Sequence, residues 1–316
     1  MILKTILRRT AAGIATLFLV SILVFIGTSV LPGDVAQILL GQMATPETLA
    51  ALRAKLGLDQ PAYIRYFYWL GDLLTGDLGT SKAGGSTISS IISGRMFNTM
   101  WLAGMVALIA IPISITLGLL TAMYPGSRLD RIVTFCTLSL ISVPEFLVAT
   151  CLVLILAVQL RWLPSIAYMS GNETGWQLIK AMAMPILTLV IVVSAQIVRM
   201  TRATVLNVLN SPYIEMAILK GVPRKRIILR HALFNAIGPI VNVIALNLAW
   251  LISGVVIVET IFAYPGLAKL MIDGVQIRDL PLVQAIAMIF CATYVILIFI
   301  ADMASVLSNP RILHPK

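Results

Sequence analysis

The sequence predicts an all-α polytopic membrane protein with six transmembrane helices. Hydrophobic residues make up 59% of its 316 residues and charged residues only 11%, whereas soluble domains carry about 25% charged residues. A bilayer-spanning helix needs about 20 mainly apolar residues, and six stretches fit that description: 11–31, 99–124, 132–160, 181–198, 237–258 and 283–301. Backbone groups in lipid must bond within their own segment, and the alternating pattern of a membrane β-barrel is missing.

The first apolar stretch, 11–31, follows three basic residues and therefore invites comparison with a cleaved signal peptide. Its length exceeds the roughly 7–15 residues of a signal-peptide core, and no clear A-x-A cleavage site follows it. We expect 1–10 to be a short tail and 11–31 to be a retained first transmembrane helix.

The Lys and Arg residues predict the orientation of the chain. If the N-terminus is inside, the inner segments hold 14 of the 23 Lys and Arg residues and the outer segments hold nine. Cytoplasmic loops are the ones enriched in these residues, so both termini are expected in the cytoplasm, with 308–316 as the C-terminal tail. The net charge of +10 reflects this topology, and we expect no nucleic-acid partner.

The segment 32–98 is expected outside the membrane and carries short amphipathic helices. Thr45 is a candidate N-cap with Pro46 at the first helical position, Gly57 ends that helix, and Pro61 starts the next one. The second helix contains an aromatic cluster suited to the lipid headgroup layer, namely Tyr63, Tyr66, Phe67, Tyr68 and Trp69. Two roles stay open: packing on the outer surface, or part of a docking rim for an external partner.

A polar loop at 203–236 contains a short helix with clear end signals. Ser211 is the expected N-cap, Pro212 occupies the first helical position, and Glu215 lies in the first turn, where a negative charge is favoured. Gly221 is the expected left-handed stop and Pro223 restarts the helix. The residues that share one face are Tyr213, Met216, Ala217 and Lys220. This helix is either a surface for another protein or a solvated connector.

The sequence offers no catalytic residue, metal site or cofactor site. It lacks the G-x-x-x-x-G-K-[ST] phosphate loop and the H-E-x-x-H zinc motif. Its three cysteines, Cys136, Cys151 and Cys291, lie in apolar stretches without C-x-x-C spacing. A membrane-embedded enzyme is therefore disfavoured. A secondary transporter or channel is also disfavoured, because such proteins often carry charged residues inside their spans.

Glu145 is the one charged residue inside an apolar stretch, in the sequence SVPEF. A carboxylate in a span is costly, so it is expected to face a polar cavity or a partner. Pro144 frees nearby backbone carbonyls, and Ser142 lies one turn earlier. We take these three residues as candidates for a translocation path. The equally weighted alternative is a Glu145 carboxyl that is hydrogen-bonded to a neighbouring helix.

Several motifs resemble one transporter family in their order along the chain. EMAILKGVPRKRIILRHAL resembles the E-A-A…G motif of binding-protein-dependent ABC transporter permeases; Glu215, Ala217 and Gly221 match it, and Met216 replaces its second-position Ala. The dipeptide/oligopeptide/nickel branch of that family has segments similar to LPGD, LGLDQPAYIRY, GDLGTS, VETIFAYPGLAKLM, RDLPLVQA and NPRI.

The resemblance implies a type I importer permease in a bacterial or archaeal cytoplasmic membrane, with a five-helix core at 99–307. The short helix would then be a coupling helix on an ATP-hydrolysing subunit, formed by Tyr213, Glu215, Met216, Ala217, Lys220, Gly221 and Pro223. The implied partners are a second homologous permease, two ATP-binding subunits or domains that hold ATP and Mg, and an extracytoplasmic solute-binding protein.

The outer loop at 259–282 is the expected outer gate and contact for the binding protein. Its candidate residues are Glu259, Tyr264, Pro265, Gly266, Arg278 and Asp279. For Glu259, and for Asp302 near the chain end, structural pairing is the favoured alternative. The leading function is uptake of peptides, with nickel or another small solute as the alternative cargo.

Overall fold

The computed structural model describes residues 2–30, 37, 40, 44–55, 57, 59–167, 175–223, 226–253 and 255–308. Within these ranges the regular secondary structure is helical, and the only β contact is an isolated bridge between Thr80 and Thr87. The markers LPGD and NPRI lie outside the described residues, as does all of the predicted tail 308–316 except its first residue.

The described helices follow one another in this order. They are α1 (Ile2–Val30), α2 (Pro46–Lys55), α3 (Ala62–Thr75), α4 (Ile88–Met123), α5 (Arg128–Ser142), α6 (Glu145–Leu152, continued as a π-helix over Val153–Gln159), α7 (Gly175–Leu209), α8 (Pro212–Leu219), α9 (Leu233–Ser253, preceded by a π-helix over Ile227–Ala232), α10 (Val256–Ile261), α11 (Leu267–Gln276) and α12 (Leu280–Ser308).

Five of the six predicted spans lie in helices long and apolar enough to cross a membrane: α1, α4, α7, α9 together with α10, and α12. The stretch 132–160 is different, because α5 and α6 meet at a bend of 106°. Val143 at this bend is extended, as expected for a residue that precedes a proline. The described residues thus contain five continuous candidate spans and one broken pair.

Small side chains allow α4 and α7 to pack closely. At four-residue spacing, α4 buries Ala110, Ser114, Gly118 and Ala122. A Cβ on Gly118 would lie 2.7 Å from the Thr201 Cβ and 3.1 Å from the Val198 carbonyl oxygen. Only glycine therefore permits this approach, which is typical of helix pairs in membranes. The same core continues into α9 and α10 through Leu251 and Val258.

α12 connects the core to α1 at both ends of the bundle. At one end the Gln284 side-chain amide donates to the Thr28 hydroxyl at 2.6 Å, and both residues are buried. At the other end Arg9 forms an ion pair with Asp302 at 2.7 Å. Asp302 therefore takes part in structural pairing, the favoured alternative for this residue.

The two short helices after α1 begin where the sequence predicts. The Thr45 hydroxyl accepts from the Thr48 amide at 3.3 Å at the start of α2, and Pro61 is the N-cap residue of α3. The aromatic residues of α3 divide between two environments. Tyr66 is buried against Phe25 and bonds to Ser21 at 2.9 Å, whereas Tyr63, Phe67 and Tyr68 are exposed.

Candidate functional site

α8 lies between the end of α7 and the start of α9, at what we call the α8 end of the bundle. Pro212 occupies its first position, where the missing N–H costs nothing and the fixed φ favours a helix. Ser211 is the N-cap residue of α8 by position, as predicted, but its side chain makes no capping hydrogen bond to α8. Its hydroxyl instead donates to the Val208 carbonyl, so it closes the end of α7.

One buried side chain anchors α8, and most of the others face outward. Ile214 is fully buried, whereas Tyr213 is 40% exposed, Met216 56% and Leu219 75%. Ala217 is half-buried, and Glu215 and Lys220 are exposed. Isolated exposed apolar residues are ordinary, but several on one short helix indicate a contact surface. We call Tyr213, Met216 and Leu219, which follow one another at three-residue spacing on one side of the helix, the α8 apolar face.

α8 exposes more apolar residues than the sequence analysis predicted. Ile218, 58% exposed, and Leu219 are absent from the candidate residues because neither is part of the E-A-A…G motif. A local signal existed nonetheless: both are large apolar residues in the last turn of a helix in a polar loop.

Gly221 ends α8 as predicted. Its φ of +74° is in the left-handed region, which glycine adopts without steric cost. The Gly221 amide donates to the Ile218 carbonyl at 2.9 Å, and the Val222 amide donates to the Ala217 carbonyl at 3.1 Å. Pro223 follows, and its carbonyl accepts from the Arg226 amide at 2.9 Å. These bonds fix the direction in which the chain leaves α8.

A buried ion pair holds the α8 end of α7 to the start of α5. The Arg202 guanidinium donates to both carboxylate oxygens of Asp130, at 2.6 and 2.9 Å. Asp130 is 4% exposed and also accepts from the Gly126 amide at 2.8 Å. Ser127 caps the same helix through the Asp130 amide. Two-pronged pairing of this kind fixes geometry as well as charge.

The sequence analysis missed the Asp130–Arg202 pair. The partners are 72 positions apart. In the sequence, Asp130 lies in a predicted loop beside basic residues, and this position does not indicate a distant partner. Arg202 lies two turns before the end of α7, so the pair positions the stem that leads into α8.

The candidate path residues Ser142, Pro144 and Glu145 come together at the bend between α5 and α6. Pro144 is the N-cap residue of α6 and Glu145 lies in its first turn, where a carboxylate faces the positive end of the helix. The Ser142 hydroxyl donates to the Leu138 carbonyl at 2.9 Å. Glu145 is half-buried, and no hydrogen bond or ion pair joins it to another described residue.

At the opposite end of the bundle, Glu259 is fully buried and supports the start of α11. Its carboxylate accepts from the Thr99 hydroxyl at 3.0 Å and from the Lys269 amide at 2.8 Å. The Thr99 hydroxyl in turn accepts from the Leu267 amide at 2.8 Å. The free amides at a helix start are thereby satisfied, and α4, α10 and α11 are joined around one carboxylate.

The loop between α10 and α11 is built around this carboxylate. A Cβ on Gly266 would lie 2.0 Å from a Glu259 carboxylate oxygen. The Tyr264 hydroxyl donates to the Asn98 backbone carbonyl at 2.7 Å, and the Asn98 side-chain amide donates to the Pro265 carbonyl at 2.9 Å. Burial and the nearby Glu259 raise the pKa of Tyr264, so its hydroxyl stays protonated and donates.

Asp279 is a second buried carboxylate at this end. It accepts from the Ser81 hydroxyl and from the Lys82 amide. Burial lowers the pKa of the Lys82 ammonium, and the Asp279 charge opposes that shift. Arg278, at the turn before α12, has a φ of +55°.

Because Glu259, Tyr264 and Asp279 are buried, their side chains offer almost no exposed surface for direct contact with a binding protein in this conformation. Gly266 is buried as well, whereas Pro265 and Arg278 are partly exposed. The geometry agrees with the alternative of structural pairing for Glu259, and a role in an outer gate stays a prediction for the loop as a whole.

The described residues contain no group of three or more His, Cys, Asp or Glu side chains that could hold a metal ion. Cys136 and Cys151 are exposed, Cys291 is partly buried, and all three are free thiols.

Two family models together match almost the whole chain. Residues 114–314 match the binding-protein-dependent transport system inner membrane component, and residues 2–109 match the N-terminal part of the membrane component of such systems. The first model covers α5 to α12 and therefore contains both α8 and the outer loop.

Named relatives are similar over their full lengths. The probable peptide ABC transporter permease protein y4tP of Sinorhizobium fredii is 33% identical over 308 residues, which cover 97% of this chain and 98% of that protein. The glutathione transport system permease protein GsiC of Escherichia coli K12 is 32% identical over 310 residues, 98% of this chain and 99% of that protein.

Proposed function

Because the chain belongs to the family of binding-protein-dependent transport system inner membrane components, we propose that it is the permease subunit of an ATP-driven importer for peptides or similar solutes. The names of its relatives support this cargo, since one is a peptide permease and the other a glutathione permease. The protein is a multi-pass inner membrane protein, consistent with its long apolar helices.

The observation that best supports this function is the α8 apolar face. A helix of eight residues is too short to be stable alone. The buried side chain of Ile214 anchors α8 between the end of α7 and the start of α9. Its exposed apolar residues fit the helix-in-groove mode of recognition. The proposed groove is on an ATP-hydrolysing subunit.

The proposed assembly contains this chain, a second homologous permease, two ATP-binding subunits that hold ATP and Mg, and an extracytoplasmic solute-binding protein. The distribution of Lys and Arg supports cytoplasmic placement of both termini and of the coupling loop 203–236. The proposed division of the chain is 1–10, 11–31, 32–98, 99–307 and 308–316, with the outer loop at 259–282.

In the proposed mechanism the α8 segment moves as one body with its neighbours. Closure of the two ATP-binding subunits displaces α8, and the direct turn at 210–211 passes that displacement to α7. The Asp130–Arg202 pair passes it on to the start of α5. The bend at Pro144 allows α5 to move without carrying α6 as a rigid extension, which gives Glu145 its proposed place beside the path.

We expect charged substitutions on the α8 apolar face to reduce uptake strongly. In the double variant Met216→Asp and Leu219→Asp, two carboxylates would be buried in an apolar groove without partners. Uptake of a labelled tripeptide by cells that carry the variant should fall about tenfold or more, since 1.4 kcal/mol already corresponds to tenfold in affinity.

The matched control is Leu7→Asp on α1, where the leucine is 61% exposed but far from α8 in the chain. Immunoblots of the membrane fraction should show equal amounts of both variants. Uptake that is reduced equally in the two variants, or in neither, would contradict the assignment of α8.

A further inference from the structure

Three carboxamide side chains lie on outward-facing parts of two membrane-spanning helices. Gln196 on α7 and Asn242 on α9 are exposed, and Asn247 on α9 is half-buried. All three lie inside predicted spans, Gln196 in 181–198 and the two asparagines in 237–258. None of them belongs to the coupling loop, the bend at Pro144 or the outer loop.

A cavity brings two of these carboxamides together. It has a volume of about 190 Å³ and is lined by Val192, Gln196, Leu246, Asn247 and Trp250. The first two residues belong to α7 and the other three to α9. We call Gln196, Asn242, Asn247 and Trp250 the carboxamide seam.

The hydrogen-bonding capacity of the seam is largely unused within the described part of the chain. Asn247 donates to the Val243 carbonyl at 2.9 Å, which leaves its side-chain oxygen as an unoccupied acceptor. Gln196 and Asn242 make no hydrogen bond with another described residue. A polar group that faces lipid without a partner is unfavourable by several kcal/mol, so a polar occupant covers this surface.

The chemistry of the seam indicates what that occupant is. A carboxamide carries donors and an acceptor, the same combination as a peptide bond. None of the four seam residues is acidic or basic, and the basic residue nearest to them in the sequence is the exposed Arg199, one turn beyond Gln196. Trp250 adds an apolar surface with an N–H donor. This set suits a chain with repeated backbone amides and variable side chains.

We propose that the carboxamide seam is this subunit's part of the translocation path and hydrogen-bonds the backbone amides of the passing solute. The proposal rests on the proposed function, because it takes a peptide as the solute. It places the path along α7 and α9, in addition to the bend that holds Glu145. The α7 segment concerned is the one that continues through Arg202 to α8, so movement of α8 would change the width of the seam.

The first experiment measures whether water reaches the seam in the complete transporter. Cys136, Cys151 and Cys291 are replaced by Ser, and single cysteines are introduced as Gln196→Cys and Asn247→Cys. Controls are Leu108→Cys and Ile296→Cys, whose native side chains are 69% and 56% exposed on α4 and α12. A membrane-impermeant thiol reagent should label the seam positions in everted vesicles and leave the controls unlabelled. Unlabelled seam positions would overturn the proposal and indicate contact with the second permease.

The second experiment tests for recognition of the backbone. Uptake of trialanine is compared with uptake of its N-methylated analogue, which lacks backbone N–H donors, using the same binding protein throughout. The preference for trialanine should fall about fivefold in Asn247→Leu, the effect of one lost hydrogen bond, and should be largely kept in Asn247→Gln. Because the preference is a ratio, it does not depend on how much variant reaches the membrane, and Gln196→Leu provides a second, independent test.

An unchanged preference in both Leu variants would overturn the seam while leaving the importer function intact. Absence of trialanine uptake by the unmodified transporter would overturn the proposed cargo and the seam together. The two failures are thereby distinguished by the unmodified protein alone.

Discussion

Replacing Gly266 with Ala is expected to prevent the outer loop from forming. The added Cβ would lie 2.0 Å from one Glu259 carboxylate oxygen and 2.4 Å from the other. The carboxylate is fully buried and held by Thr99 and by the start of α11, so it can move away only by breaking these hydrogen bonds. Displacing it would leave buried carboxyl oxygens without their hydrogen-bond donors, at a cost of about 1–3 kcal/mol. We expect severe loss of folded protein in detergent, measured by size-exclusion chromatography and thermal unfolding.

Two variants show whether the clash with Glu259 is the cause. Gly104→Ala on α4 serves as the glycine control, because a Cβ there meets nothing within 4 Å. Adding Gly266→Ala to a Glu259→Ala background should be less harmful than adding it to the native chain, since the clashing atoms are gone. Equal effects in the two backgrounds would show that the effects of contacting residues simply add, contrary to the geometry described.

Replacing Asp130 with Ala is expected to separate ATP hydrolysis from transport. Arg202 would lose a two-pronged partner while its own side chain is 28% exposed, so the cost is below the roughly 3–5 kcal/mol of breaking a fully buried pair. Because the pair holds α7 just before α8, its loss should also make the position of this part of α7 less fixed. We therefore expect a lower melting temperature of the purified complex and fewer peptides transported per ATP hydrolysed.

The Arg9–Asp302 pair provides the control for the effect of charge. It is also an aspartate–arginine pair between two helices, but its Arg side chain is 54% exposed against 28% for Arg202. Exposed pairs contribute about 0–1 kcal/mol. Because the Asp302 side chain is 20% exposed against 5% for Asp130, Asp302→Ala should lower both measurements less than Asp130→Ala. If Asp302→Ala is as harmful as Asp130→Ala, the special position of Asp130 and Arg202 is disproved.

Local signals in the sequence predicted much of the fold. Proline at a first helical position and glycine at a left-handed end placed the limits of α8 correctly, and Pro46 did the same for α2. These signals work because each depends on the backbone preference of one residue. Ser211 shows their limit, since a serine hydroxyl can bond either to the helix that follows or to the one before.

Contacts between distant residues could not be predicted in this way. Glu259 meets Thr99 across 160 positions, and Asp130 meets Arg202 across 72. A single sequence gives the charge of each residue but not the packing of helices that brings partners together. The 106° bend between α5 and α6 is an intermediate case: Pro144 indicated a break, and its angle depends on how α6 packs against α7 and α10.

The central claim is that α8 contacts an ATP-hydrolysing subunit, and photo-crosslinking from its exposed face tests it most directly. Leu219, 75% exposed, is replaced by a benzophenone amino acid in cells, and the same replacement at Leu74 on α3 serves as the control. After irradiation, mass spectrometry should identify an ATP-binding subunit attached at position 219 and none attached at position 74. Attachment at position 219 only to lipid, or to proteins without an ATP-binding site, would contradict the account.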